Sequence, residues 1–231
     1  VQTCALPICD SMAAFGGIVA INSVVDQGIA GAMASGDKFF EVIVAPDFTE
    51  DGFKILSERW SNIRLLAVGN TSYHGRRQLN CRSIPGGLLV QEHDTKTPRA
   101  ENWRLAAGPE PSDEMVTDAQ VALIVAKHLK SNAIAIAADG ALLGAGPGQV
   151  DRVSACQIAI SKAGESLRNA KAPVAASDAF FPFADGPKQL IDAGVKCIIE
   201  PGGSRRDDET IALCDQAGIS LLMTGVRHFR H

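Results

Sequence analysis

The sequence predicts an α/β protein of layered strands and helices, and three features carry that expectation. "EVIVAP" (41–46) is a β-branched run stopped by Pro46; helically spaced Phe53, Leu56 and Trp60 follow, and then the strand-like "NIRLLAV". The second half alternates in the same way, through "APVAAS", "PKQLIDAGVKCIIEP", "RRDDETIALCDQAG" and "ISLLMTG". Strand–helix–strand order of this kind favours helices packed on a sheet.

The elements follow in chain order. "VQTCALPI" shows neither helical period nor strand alternation, and it resembles a sequencing adapter translated in frame; residues 1–9 are therefore expected not to be native. "AAFGGIVAINSVVD" opens with an apolar, strand-like run, as if mid-domain. Thr49 is a candidate N-cap for "TEDGFKILSERW". Residues 69–80 are polar and loop-like, and "GGLLVQEHD" leaves a Gly-Gly turn as a strand. "KTPRAENWRLAAGPEPS", rich in Pro, Gly and charge, reads as a linker near 98–111. Ser112 is a plausible N-cap for "DEMVTDAQVALIVAKHLK", with acids in the first turn and Lys127, His128 and Lys130 in the last. "AIAIAA" and "ALLGAG" flank Asp139-Gly140, a strong hairpin signal. "DRVSACQIAISKAGESLR" is a second amphipathic helix. Gly218 is a good residue to follow the last helix.

Composition narrows the function. Apolar content of 46% and charged content of 21% are those of a globular protein, and a net charge of −4 argues against nucleic acid as a partner. No apolar run is long enough to span a bilayer, and the start lacks the basic region of a signal peptide. The six cysteines (Cys4, Cys9, Cys81, Cys156, Cys197, Cys214) include no CxxC pair, so reduced thiols are expected and no metal. A zinc nucleoside deaminase would need H-x-E and P-C-x-x-C, and the sequence has neither.

Several motifs admit two readings. Asn132 either caps a helix or contacts a ligand. "GAGPGQ" (144–149) imitates a dinucleotide fingerprint but lacks the third glycine at the right spacing. Pro147 within it removes one backbone N–H. Three of the nine phenylalanines fall within "SDAFFPF" (177–183), between Asp178 and Asp185. They form either a strand end in the core or a rigid turn facing a ligand. "PGGS" (201–204) is a turn, or a place where backbone meets a ligand.

Taken together, "KSNAIAIAADGALLGAGPGQVDR", "ASDAFFPFADG", "IIEPGGSRRDDETI" and "TGVRHFRH", with "AFGGIVA" and "GGLLVQEHD" earlier, resemble the family of bifunctional purine-biosynthesis proteins that joins AICAR transformylase to IMP cyclohydrolase. The resemblance runs from about residue 11 to the last residue. It implies a cytidine-deaminase-like layered fold, with residues 10–105 the C-terminal part of a first transformylase subdomain and 106–231 a complete second one. It implies formyl transfer from 10-formyltetrahydrofolate to the 5-amino group of AICAR, a cytoplasmic homodimer with shared sites, and a chain lacking the cyclohydrolase domain. Residue by residue, it implies AICAR contacts at Gly16, Glu41, Asn132, Phe180 and Arg227. Folate contacts are implied at Arg152, Val153, Asp185, Gly202 and Gly203, and His231 is placed near the site. The family's catalytic Lys-His pair is expected upstream of residue 1, so no general base is assigned here; Lys127 and His128 imitate the pair but sit on an expected helix. A non-catalytic module binding AICAR or folate is the alternative.

Overall fold

The computed structural model describes residues 15–69, 79–96 and 98–230. The adapter-like stretch, most of the expected loop at 69–80, and His231 lie outside the described residues. The chain divides into two compact units, Ser11–Thr95 and Lys96–His231.

The first unit holds a parallel three-stranded sheet of β1 (Gly17–Ala20), β2 (Phe40–Ala45) and β3 (Arg64–Ala67), in that order. Helices α1 (Gln27–Ala34) and α2 (Glu50–Arg59) connect the strands. Asp26 caps α1 by accepting the Ile29 N–H at 2.9 Å, and Thr49 caps α2 through Gly52 at 3.1 Å, as its sequence position predicts. Phe40 and Trp60 meet edge to face, 5.5 Å apart, beside buried Met33, Ile43 and Leu56. Strands β4 (Leu79–Ile84) and β5 (Gly87–Glu92) form a separate antiparallel hairpin. Leu79 and Asn80, which the sequence presents as loop, therefore belong to a strand.

The second unit is a six-stranded sheet in the order β6-β11-β10-β9-β7-β8. Its strands are β6 (Arg104–Ala107), β7 (Ile134–Ala138), β8 (Ala141–Gly146), β9 (Val174–Ser177), β10 (Cys197–Glu200) and β11 (Ser220–Met223). β9, β10 and β11 run parallel; β6, β7 and β8 each pair antiparallel with their neighbours. Strand β6 lies inside the stretch that reads as a linker. Four residues, "RLAA", carry too little period to announce a strand, and pairing with β11 decides it.

Alternation along the strands sorts the core onto two faces. Ala135, Ala137, Val174, Ala176, Cys197 and Ile199 meet helix α3 (Asp113–His128) through Ala119, Ala122, Leu123 and Ala126. Ile134, Ile136, Ala175 and Ile198 face α4 (Arg152–Asn169), α5 (Asp185–Asp192) and α6 (Asp207–Ala217) through Ala155, Ala159, Leu190 and Cys214. The unit is thus a helix–sheet–helix sandwich. The β7–β8 turn is the expected Asp139-Gly140, with φ of +53° and +72°. Buried Asp118 of α3 accepts both turn amides, at 3.0 and 2.7 Å. Gly144 and Gly146 serve packing: a Cβ at Gly146 would stand 2.0 Å from the Ala155 carbonyl of α4. Among the described residues no helix is long and apolar enough to cross a membrane.

Candidate functional site

The sheet order brings the motif segments to one end. The parallel strands β9, β10 and β11 end there, followed by "DAFFPF", "PGGS" and "TGVRHFR". Antiparallel β7 begins there, after Ser131-Asn132, since Ile134 pairs with Ser177. β8 ends there as well, with Gly146 opposite Ile134, and leads into α4 at Arg152. The carboxyl end of parallel strands is where α/β sheets usually present ligand-binding loops.

Arg152 and Asp178 form the centre of this end. Both side chains are buried, and the guanidinium Nη1 pairs directly with Asp178 Oδ1. Nη1 also donates to the Ala133 carbonyl at 3.2 Å, and Nη2 to Asn132 Oδ1 at 3.0 Å. Asp178 further accepts the Ser131 hydroxyl at 2.6 Å and the Ala133 N–H at 3.1 Å. A cation at a helix N-terminus opposes the helix dipole; here a fully desolvated carboxylate compensates it. Asn132 is not a helix cap, because α3 ends at His128. Its amide nitrogen donates to the Gln149 carbonyl at 2.9 Å, so both ends of the side chain are fixed. The Asp178 carbonyl accepts the His228 N–H at 2.8 Å, and Ser131 exchanges hydrogen bonds with Arg230, which fastens the C-terminal segment to the same centre.

The three phenylalanines separate. Phe181 is core, 1% exposed, against Gly186 of α5; Phe180 is half-buried and Phe183 half-exposed. Of the two readings the sequence allows, the core one therefore holds for Phe181, four residues beyond the end of β9, while Phe180 and Phe183 keep exposed surface. Phe183 lies under the Arg206 guanidinium, 4.9 Å from the ring centre. The Phe181 N–H donates to Oε2 of Glu200, the last residue of β10, at 3.0 Å. Beyond Glu200, Gly202 and Gly203 have φ of +71° and +94°, and Asp207 accepts the Gly203 and Ser204 amides at 2.7 and 3.0 Å. This turn needs glycine for its conformation.

Glu200 is wholly buried, and burial pushes its carboxyl up to about 7, with Asp207 adding and the Phe181 amide and Arg152 opposing. The folded state then holds a proton that the unfolded chain, near 4.5, has lost. The stability that Glu200 contributes is fully present below about pH 4.5 and is lost as pH rises to about 7. Glu200→Gln should remove that slope, worth on the order of 3 kcal/mol, in denaturant titrations between pH 5 and 8. Burial also holds Cys156, Cys197 and Cys214 at about 12, so they remain thiols at neutral pH.

Among the expected contacts, Asn132, Arg152, Val153, Phe180, Asp185, Gly202, Gly203 and Arg227 all belong to segments at this end of the second sheet. Val153 is half-buried beside Arg152 on α4, and Asp185 is exposed at the start of α5. Arg227 is exposed, its guanidinium 5.5 Å from the Phe229 ring centre. Gly16 and Glu41 come together in the first unit: a Cβ at Gly16 would lie 3.5 Å from Glu41 Oε1. Glu41 is exposed and 3.7 Å from Arg64. His128 is exposed at the end of α3, where its carbonyl accepts from Arg230. Sequence reasoning assigns no role to Ser131, Asp178, Glu200 or Asp207. The available signal is an acid immediately after or at the end of a short, mostly apolar strand, in "AASD" and "CIIE". Among the described residues no cluster of His, Cys, Asp or Glu is arranged to hold a metal.

The fold and site define a mixed α/β protein whose ionic centre and glycine turn lie at the same end of a sheet. The family model described as "AICARFT/IMPCHase bienzyme" matches residues 5–162. The chain belongs to the AICARFT/IMPCHase bienzyme family. It is 46% identical over 226 residues to the "bifunctional purine biosynthesis protein PurH" of Cutibacterium acnes. The proteins of the same name from Prochlorococcus marinus (strain AS9601) and Corynebacterium glutamicum (strain R) are 44% and 43% identical over 223 and 226 residues. Each alignment covers 96% of this chain and 42% of the relative.

Proposed function

We propose that this chain supplies part of a site that moves a formyl group from 10-formyltetrahydrofolate to the 5-amino group of AICAR in purine biosynthesis. Support comes from one observation above all: eight residues expected to meet AICAR or folate lie on segments gathered at the same sheet end. The AICAR amine is conjugated with its ring and carboxamide and is a poor nucleophile, so a base must take its proton as the C–N bond forms. Developing charge on the formyl oxygen needs fixed donors. Asn132, held by Arg152 and Gln149, is suited to orient the carboxamide. Phe180 offers a flat surface, and Arg227 a cation for the nucleotide. Asp185, exposed at the start of α5, can accept two N–H donors from a pterin. Gly203, with nothing within 4 Å of a Cβ position, admits close approach, while Gly202 packs against Met223. Gly16 and Glu41, in the first unit, are the other two AICAR contacts that the resemblance implies.

The reading includes a cytidine-deaminase-like layering of two subdomains and a cytoplasmic homodimer with shared sites. It also takes the catalytic Lys-His pair from a part of the relatives outside these residues. The decisive assay is AICAR-dependent formation of tetrahydrofolate, run on this chain and on a chain extended to the length of its relatives. We expect turnover only in the longer chain. Binding of both ligands without turnover in either would establish the non-catalytic module instead.

A further inference from the structure

Glu200 stands behind the proposed folate surface without touching it. Its carboxylate is completely buried, on the sheet face covered by α4, α5 and α6. One oxygen accepts the Phe181 N–H at 3.0 Å; the other, Oε1, accepts no hydrogen bond among the described residues. The charged and titratable groups that act on it are few. Arg152 of α4 is the cation, and it is already paired with Asp178 at the end of β9. Asp207 at the start of α6 repels it and is engaged with the Gly203 and Ser204 amides, while the Cys214 thiol of α6 feels its charge. A buried carboxylate with no cation of its own is costly as an anion and cheap as an acid.

The contacts run outward from Glu200 to the proposed ligand surface. It fixes the Phe181 amide. The Phe181 ring packs on Gly186, where a Cβ would come within 2.9 Å of it. Gly186 follows Asp185, and Phe180 precedes Phe181. On the other side, Glu200 leads directly into the Pro201–Ser204 turn.

Resting on the folate reading above, we propose that Glu200 is a positioning residue: as a neutral acid it holds the Phe180–Phe183 turn against the Pro201–Ser204 turn, and ionisation loosens the surface the two turns form. The raised carboxyl, near 7, places that change in the neutral range. The anion accepts the Phe181 N–H more strongly, but its Oε1 then carries charge inside the core with no donor. That desolvation cost outweighs the one bond, so the ionised form gains by opening the turn to water, and Phe180 and Asp185 move with it.

Two measurements on the chain test this. The first follows the amide NMR signal of Phe181 from pH 5 to 9, which should shift with a midpoint near 7 in the wild type and stay flat in Glu200→Gln. The second measures the affinity of 5-formyltetrahydrofolate at pH 6 and pH 8. It should fall about tenfold in the wild type, following the ionised fraction, and hold constant in Glu200→Gln, whose amide resembles the protonated acid. A Phe181 amide that does not titrate overturns the proposal. So does a titrating amide with an affinity indifferent to pH. No folate binding at either pH defeats the ligand reading instead, and the amide titration, which needs neither ligand nor variant, then decides the role of Glu200.

Discussion

Asp178→Asn should lower the unfolding free energy by about 3–5 kcal/mol, read from chemical denaturation at pH 7. The change removes the only anion paired with Arg152 among the described residues and leaves the guanidinium buried. The one oxygen of asparagine can still accept from the Ser131 hydroxyl or the Ala133 amide, so much of the loss is electrostatic. Adding Arg152→Met should recover a large part of the stability, because an apolar side chain needs no partner there. If the proposed function holds, the double variant should nevertheless bind AICAR poorly, since Asn132 Oδ1 loses its donor. If Asp178→Asn alone unfolds at the wild-type midpoint, the ion pair does not organise this end of the sheet.

Gly146→Ala should cost about 2–3 kcal/mol, at the upper end of what overpacking usually costs. The added methyl would meet backbone, the Ala155 carbonyl at 2.0 Å and its carbon at 2.9 Å, and backbone cannot rotate away. Relief requires α4 to move off β8. Arg152 begins α4, so ligand binding should weaken more than the stability loss accounts for. Gly87→Ala is the control: nothing lies within 4 Å of the position its methyl would take, and stability should change by about 0.5 kcal/mol or less. A Gly146→Ala variant as stable as this control would mean that α4 is not pressed against the sheet.

Local features are legible in the sequence. Thr49 and Ser112 cap the expected helices, Asp139-Gly140 makes the expected hairpin, and Gly218 ends α6 with φ of +64°. Each signal lies within a few residues of its effect. The mixed α/β architecture follows from the same short-range periodicity. What escapes depends on distant partners. Asp118 binds amides 21 and 22 positions away, and Asp178 meets Ser131 47 positions back. A lone acid in the sequence does not say whether it will be solvated, paired or stranded. Glu200 has the sequence context of a polar strand end, and only the sheet order reveals that it is sealed under three helices. The Phe cluster suggests one unit because its residues are adjacent; the irregular backbone beyond β9 separates them, and the Phe181 amide bond to Glu200, 19 positions away, goes with its place in the core.

The order of the large sheet also bears on synthesis. β11 is the last strand among the described residues, yet it lies inside the sheet, between β6 and β10. A nascent polypeptide that has not reached residues 220–223 therefore carries two open strand edges, one of them on the apolar β10. The ends of the missing bridge, Leu105 and Leu222, are separated by more than half the sequence. Closure of the sheet is thus a late, long-range event. A ribosome stalled just short of Ser220 would display an adhesive intermediate, a natural client for a chaperone.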